Sequence, residues 1–77
     1  MQRIENRLHR ASVVVAEELD VERAAQRLQI SVPELKEQID QLECKLSLVL
    51  FERDSSRIAL TASGKLYIEQ IRKSRLL

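Results

Sequence analysis

Along the stretch SVPELKEQIDQLE, residues 31–43, the carboxylates Glu34, Glu37, Asp40 and Glu43 recur on a helix whose other face carries Leu35, Ile39 and Leu42. Such a carboxylate can accept a hydrogen bond from an amine such as cytosine N4, and it repels a phosphate. Catalysis asks for more. The chain shows no nucleophile beside a base, no paired carboxylates in a pocket and no glycine-rich phosphate loop, so no catalytic residue is expected and the chain reads as a non-enzyme. The single Cys44 cannot close an internal disulfide, and with one His9 and no neighbouring ligands it gives no zinc spacing. A partly buried thiol and a surface histidine are expected, with no metal and no cofactor.

What remains is ionic binding chemistry, and it is distributed unevenly. The formal net charge is only +1. Near the N-terminus Arg3, Arg7 and Arg10 outnumber Glu5, and beyond residue 54 Arg57, Lys65, Arg72, Lys73 and Arg75 outnumber Glu69. Between them, residues 17–54 are acidic, with Arg23, Arg27, Lys36, Lys45 and Arg53 outnumbered by ten carboxylates. A basic side chain on a phosphate releases counterions and strengthens nucleic-acid binding, so the ends favour that partner and the middle opposes it.

The elements that must carry these groups follow from periodicity. With 77 residues the chain forms one small domain near the lower limit for a self-sufficient core, which makes oligomerisation an expectation. Hydrophobic residues at 44% and charged residues at 32% suit a folded helical domain. No apolar run approaches the roughly 20 residues that cross a bilayer, and the N-terminus lacks a signal-peptide apolar region, so the cytoplasm is the expected location. Ile4, Leu8, Ala11, Val15 and Leu19 predict a helix over 2–18. Asp20 is a plain N-cap for a second helix with Val21, Ala24, Ala25 and Leu28 inward, its alanines permitting close helix approach. Ser31 caps a third helix running to about Leu46, with Glu34 at the capping-box position and Pro33 in the first turn. Two helices joined this closely make a helix-turn-helix candidate.

VLFER (49–53) and RIAL (57–60) then predict a two-stranded wing with Ile58 and Leu60 inward, and Thr61 caps a last helix over about 62–77. Gly64, early in that helix, is expected to permit a close backbone approach. Leu66, Tyr67, Ile68 and Ile71 form an apolar band wider than a small core can cover, so part of it should meet a second chain.

These residues resemble the DNA-binding domain of the LysR-type transcriptional regulators. The likeness is carried by VAEE (15–18), RAAQRLQIS (23–31), Pro33, Leu35, QI at 38–39, LE at 42–43, LFER (50–53) and LTASG (60–64), without a gap from about Val13 to Gly64. It implies a mainly α fold, a winged helix-turn-helix over 1–61 followed by a linker helix over 62–77 through which two chains dimerise. It also implies a transcription regulator that binds double-stranded DNA through Ser31, Val32, Pro33, Lys36 and Gln38 on the recognition helix and Arg53, Ser56 and Arg57 at the wing. Leu66, Tyr67, Ile68 and Ile71 would form the dimerisation surface. The departures fall on the groove-facing positions. Where the family commonly has SQPALSRQI, Val32 stands for a base-reading Gln, Glu34 for a small residue, Lys36 for Ser and Glu37 for Arg. Leu19, Asp20, Val21 and Glu22 replace the usual Gly-Ser-Phe-Thr turn, and Ser47 and Val49 replace a Gly and a Pro. A second reading is therefore a protein-interaction module that keeps the winged fold and pairs with, or antagonises, another transcription regulator.

Overall fold

Helix formation follows the caps. The computed structural model describes residues 6–54 and 57–75, arranged as α1 (Asn6–Glu18), α2 (Val21–Leu28), α3 (Val32–Leu46), β1 (Phe51–Asp54), β2 (Arg57–Leu60) and α4 (Ala62–Arg75). Asp20 Oδ1 accepts from Arg23 N at 3.1 Å, and Ser31 Oγ accepts from Glu34 N at 3.2 Å, so both expected caps form. The capping box at α3 is half made: among the described residues no bond returns from Ser31 N to the Glu34 carboxylate. Residues 1–5, where the first helix was expected to begin, lie outside the described residues.

Leu19 departs from its expected place on the apolar face of α1. The helix ends at Glu18, and Leu19 takes a left-handed φ of 53° and is 44% exposed. Gln29 (φ 59°) and Ser47 (φ 55°) end α2 and α3 in the same way. Each begins a Schellman closure: Gln29 N and Ile30 N donate to Gln26 O and Ala25 O, and Ser47 N and Leu48 N donate to Cys44 O and Glu43 O. Glycine suits such a position, because an L side chain there costs about 1–2 kcal/mol, more than the extra unfolded-state freedom of glycine at about 0.5–1 kcal/mol. Ser47→Gly should therefore stabilise the domain by about 0.5–1 kcal/mol. Thermal unfolding should show this as a Tm rise of roughly 2–8 °C, and an unchanged or lower Tm would refute the strain.

Leu8, Ala11 and Val15 of α1, Ala24 and Ala25 of α2, Leu35, Ile39 and Leu42 of α3, and Leu50, Phe51 and Ile58 of the wing share one buried cluster. Leu28 and Leu60, also expected in that core, pack against it half-buried. The wing is antiparallel, with Phe51 opposite Leu60 and Arg53 opposite Ile58. It starts two residues later than VLFER implies, because other partners take the backbone of 49 and 50. Glu43 Oε2 accepts from Leu50 N at 2.7 Å and Phe51 N at 3.2 Å, while Thr61 donates from Oγ1 to Val49 O and from N to Leu50 O. Thr61 Oγ1 also accepts from Gly64 N at 2.9 Å, which caps α4 as expected. Among the described residues no helix is long and apolar enough to cross a membrane.

Candidate nucleic-acid interface

The exposed side of α3 is built by the phase that buries Leu35, Ile39 and Leu42. Ser31, Pro33 and Lys36 are exposed, Gln38 is half-buried, and Val32 is half-buried with its methyls against the core. Lys36 and Arg53 border one small hollow above Leu35, Ile39, Phe51 and Ile58, so the helix and the wing form a continuous surface. Arg57 is exposed at the start of β2, with no ion pair among the described residues, and its backbone bridges that of Asp20 ahead of α2. The turn end of the wing is thereby docked against the start of the helix-turn-helix. Ser56 lies outside the described residues, as does Arg3.

The acids on α3 separate by environment. Asp40 Oδ1 pairs with Arg53 Nη2 at 3.0 Å, which ties α3 to β1 across the surface. Glu43, expected on a solvated face, is half-buried and holds the two N–H groups that lead into the wing. Leaving such donors without an acceptor would cost about 1–3 kcal/mol each, so Glu43 is a structural residue. Glu34 and Glu37 are exposed and have no hydrogen-bond or ion-pair partner among the described residues. Elsewhere Arg27 is held by Glu17 at 2.9 Å and Glu18 at 3.0 Å, and these bonds raise its pKa above the ordinary value.

Sequence reasoning missed three of these roles. The Asp40–Arg53 pair spans 13 residues and has no local signature. The Glu43 cap was present only as an unexplained element of the family pattern LE. The third is a link between α1 and α4, where the Tyr67 hydroxyl hydrogen-bonds to His9 Nδ1 and the rings stack with centroids 5.8 Å apart. His9 is therefore half-buried rather than a surface residue, and burial pushes the Tyr67 phenol above its ordinary pKa. Cys44, expected to be partly buried, is exposed, because it falls opposite the core phase of α3. Among the described residues no group of His, Cys, Asp and Glu could hold a metal ion.

On α4 the apolar band divides. Ile68, at 3% exposure, is buried within the chain's own fold, and Leu66 points outward at 64%. Tyr67 and Ile71 are half-buried along a groove between α1 and α4 that Val13 and Val14 also line.

The family model described as bacterial regulatory helix-turn-helix protein, lysR family, matches residues 4–65. The chain belongs to that family. Among lysR relatives it is 43% identical over 70 residues to the HTH-type transcriptional regulator ClcR of Pseudomonas putida, a match that covers 91% of this chain and 24% of that protein. The chain thus spans about a quarter of the length of the relatives it matches. Its fold is similar to that in the complex of the CbnR DNA-binding domain with DNA, at a TM-score of 0.86 and 37% identity over 91% of this chain and 80% of that one. It is similar as well to the BenM DNA-binding domain on its benA site 1 DNA, at a TM-score of 0.85 and 36% identity over 91% of this chain and 81% of that one. The four helices and antiparallel wing are the winged helix-turn-helix expected of a lysR family member.

Proposed function

We propose that this chain is the DNA-reading module of a cytoplasmic, non-enzymatic transcription regulator and binds duplex DNA as a homodimer. Residues 1–61 form the winged unit and 62–77 the linker helix that pairs the two copies. The recognition helix α3 enters the major groove with Ser31, Val32, Pro33, Lys36 and Gln38, and Arg53, Ser56 and Arg57 approach the phosphates. The observation that carries this reading is the likeness, along nine-tenths of the chain, to a domain solved on DNA. Arg57, exposed and without an ion pair among the described residues, supports it.

Measuring retention of random-sequence duplex against salt concentration tests the proposal. Binding should be weak and should fall steeply as salt rises. Arg57→Ala should weaken it about equally across sequences and lower the slope of log affinity against log salt by about one unit. Asp40→Asn releases Arg53 from its carboxylate and should strengthen binding by up to roughly tenfold at 0.1 M salt. No retention at low salt, in either the native chain or Asp40→Asn, would refute DNA reading. The exposed Glu34 and Glu37, without a partner among the described residues, favour a second reading in that event, a surface for another regulator, which a pull-down with and without Glu34→Lys and Glu37→Lys would test.

For pairing, a second copy covers the groove beside α4 along Tyr67 and Ile71 together with the outward Leu66, while Ile68 holds the helix in place from beneath. A two-fold pair uses the same patch twice, so one substitution acts at two points. Ile71→Glu should convert a sedimenting dimer to monomer at micromolar concentration. A native chain that is monomeric at high micromolar concentration, or a dimer indifferent to Ile71→Glu, would refute this pairing surface.

A further inference from the structure

We infer that Glu37 is a specificity-determining residue of this helix, its carboxylate accepting a hydrogen bond from the N4 amine of a cytosine in the major groove. The inference rests on the DNA-reading proposal and adds to it which base is read and by which side chain.

The acids of the surface are sorted by what holds them. Asp20 caps α2, Asp40 pairs with Arg53, and Glu43 holds the wing's N–H groups. Glu34 lies in the first turn of α3, where the positive end of the helix dipole favours a carboxylate for reasons unrelated to DNA. Glu37 has none of these reasons. It lies in the second turn, near the centre of the face opposite Leu35, Ile39 and Leu42, and is exposed without a partner among the described residues.

The N-terminal residues of a recognition helix are those that reach base edges, so a carboxylate at this point enters the groove whenever the helix docks. It brings acceptors and no donor, and it loses its water there. On a phosphate it is repelled, and guanine presents N7 and O6, which are acceptors as well. Donors in the major groove come from cytosine N4 and adenine N6. Adenine pairs its donor with the N7 acceptor beside it, an edge that matches an amide and opposes the second oxygen of a carboxylate. Cytosine sets its amine beside an uncharged C–H edge. A buried carboxylate without a donor is costly, so a duplex lacking cytosine at that place is rejected more strongly than one carrying it is attracted.

The experiment selects duplexes from a random library with the full chain at low salt, and repeats the selection with Glu37→Gln and Glu37→Ala. Both variants change an exposed side chain, and their thermal unfolding should match the native chain's. The native chain should enrich cytosine at one position of each half-site, with roughly a tenfold loss when that base pair is replaced. Glu37→Gln should move the preference at that position to adenine, and Glu37→Ala should flatten it while the other positions keep theirs. Duplex retention with the same base preference in all three proteins overturns the role of Glu37 and leaves DNA reading intact. Retention without any enriched cytosine does the same. If no duplex is retained at all, both fall together.

Discussion

One methyl group added at residue 64, by Gly64→Ala, should destabilise the domain by at least about 3 kcal/mol, a large part of the roughly 4–12 kcal/mol that a chain of this size has. The site lies where the wing turns into α4. Thr61 N donates to Leu50 O at 3.0 Å, and Gly64 N donates to Thr61 Oγ1, so the first turn of α4 is drawn onto the backbone that leads into β1. A Cβ at Gly64 would stand 2.1 Å from Leu50 O and 3.1 Å from Leu60 Cδ2. The first neighbour is backbone, held in turn by Thr61 and by the Glu43 contact to Leu50 N, and it cannot swing aside as a side-chain end does. Local preference acts in the opposite direction, because alanine within a helix is favoured over glycine by about 1 kcal/mol. The sign of the effect is therefore decisive. Urea unfolding should give a midpoint far below the native one with a similar slope, and a midpoint above it would mean that α4 does not approach Leu50.

The features legible in the sequence are those fixed by neighbours in the chain. Asp20, Ser31 and Thr61 were readable as caps because each accepts from an N–H three residues ahead, and the phase of α3 because Leu35, Ile39 and Leu42 repeat on one stripe. Gly64 was readable as a contact point, though not against which backbone. Features that depend on which elements meet were not readable. The apolar band of α4 offered Leu66, Tyr67, Ile68 and Ile71 on an arc too wide for one neighbour. Docking on α1 and β2 then selects Ile68 for burial and turns Leu66 to solvent. The acidic face of α3 looked uniform because charge alone does not distinguish its members. Residues far along the chain separate them: Arg53 takes Asp40, and the backbone of Leu50 and Phe51 takes Glu43. Leu19 and Ser47 stand where the family pattern has glycine, and their left-handed φ values give that pattern a physical reason. The resemblance marked these positions as departures, and the backbone turns them into points of strain.

Reversing two exposed acids of α3 together, Glu34→Lys with Glu37→Lys, should strengthen binding to random-sequence duplex by about a hundredfold at 0.1 M salt. Each change removes a repulsion from the phosphates and adds a cation that they attract, and each neutralised phosphate contributes roughly tenfold at that salt concentration. The slope of log affinity against log salt should steepen by about two units. Sequence preference should weaken at the same time. The new contacts go to phosphates, which every sequence presents, while the one carboxylate that could select a base is lost, so the ratio of specific to non-specific affinity falls. A control separates position from net charge. Glu69 is exposed on α4, which packs against α1 and β2, so Glu69→Lys raises the charge of the chain without touching the α3 surface. General attraction between a more positive protein and a polyanion would give Glu69→Lys a comparable gain for each charge reversed. If α3 is the element against the DNA, the gain must be confined to Glu34 and Glu37, and equal gains from all three positions would refute the docking of this helix in the groove.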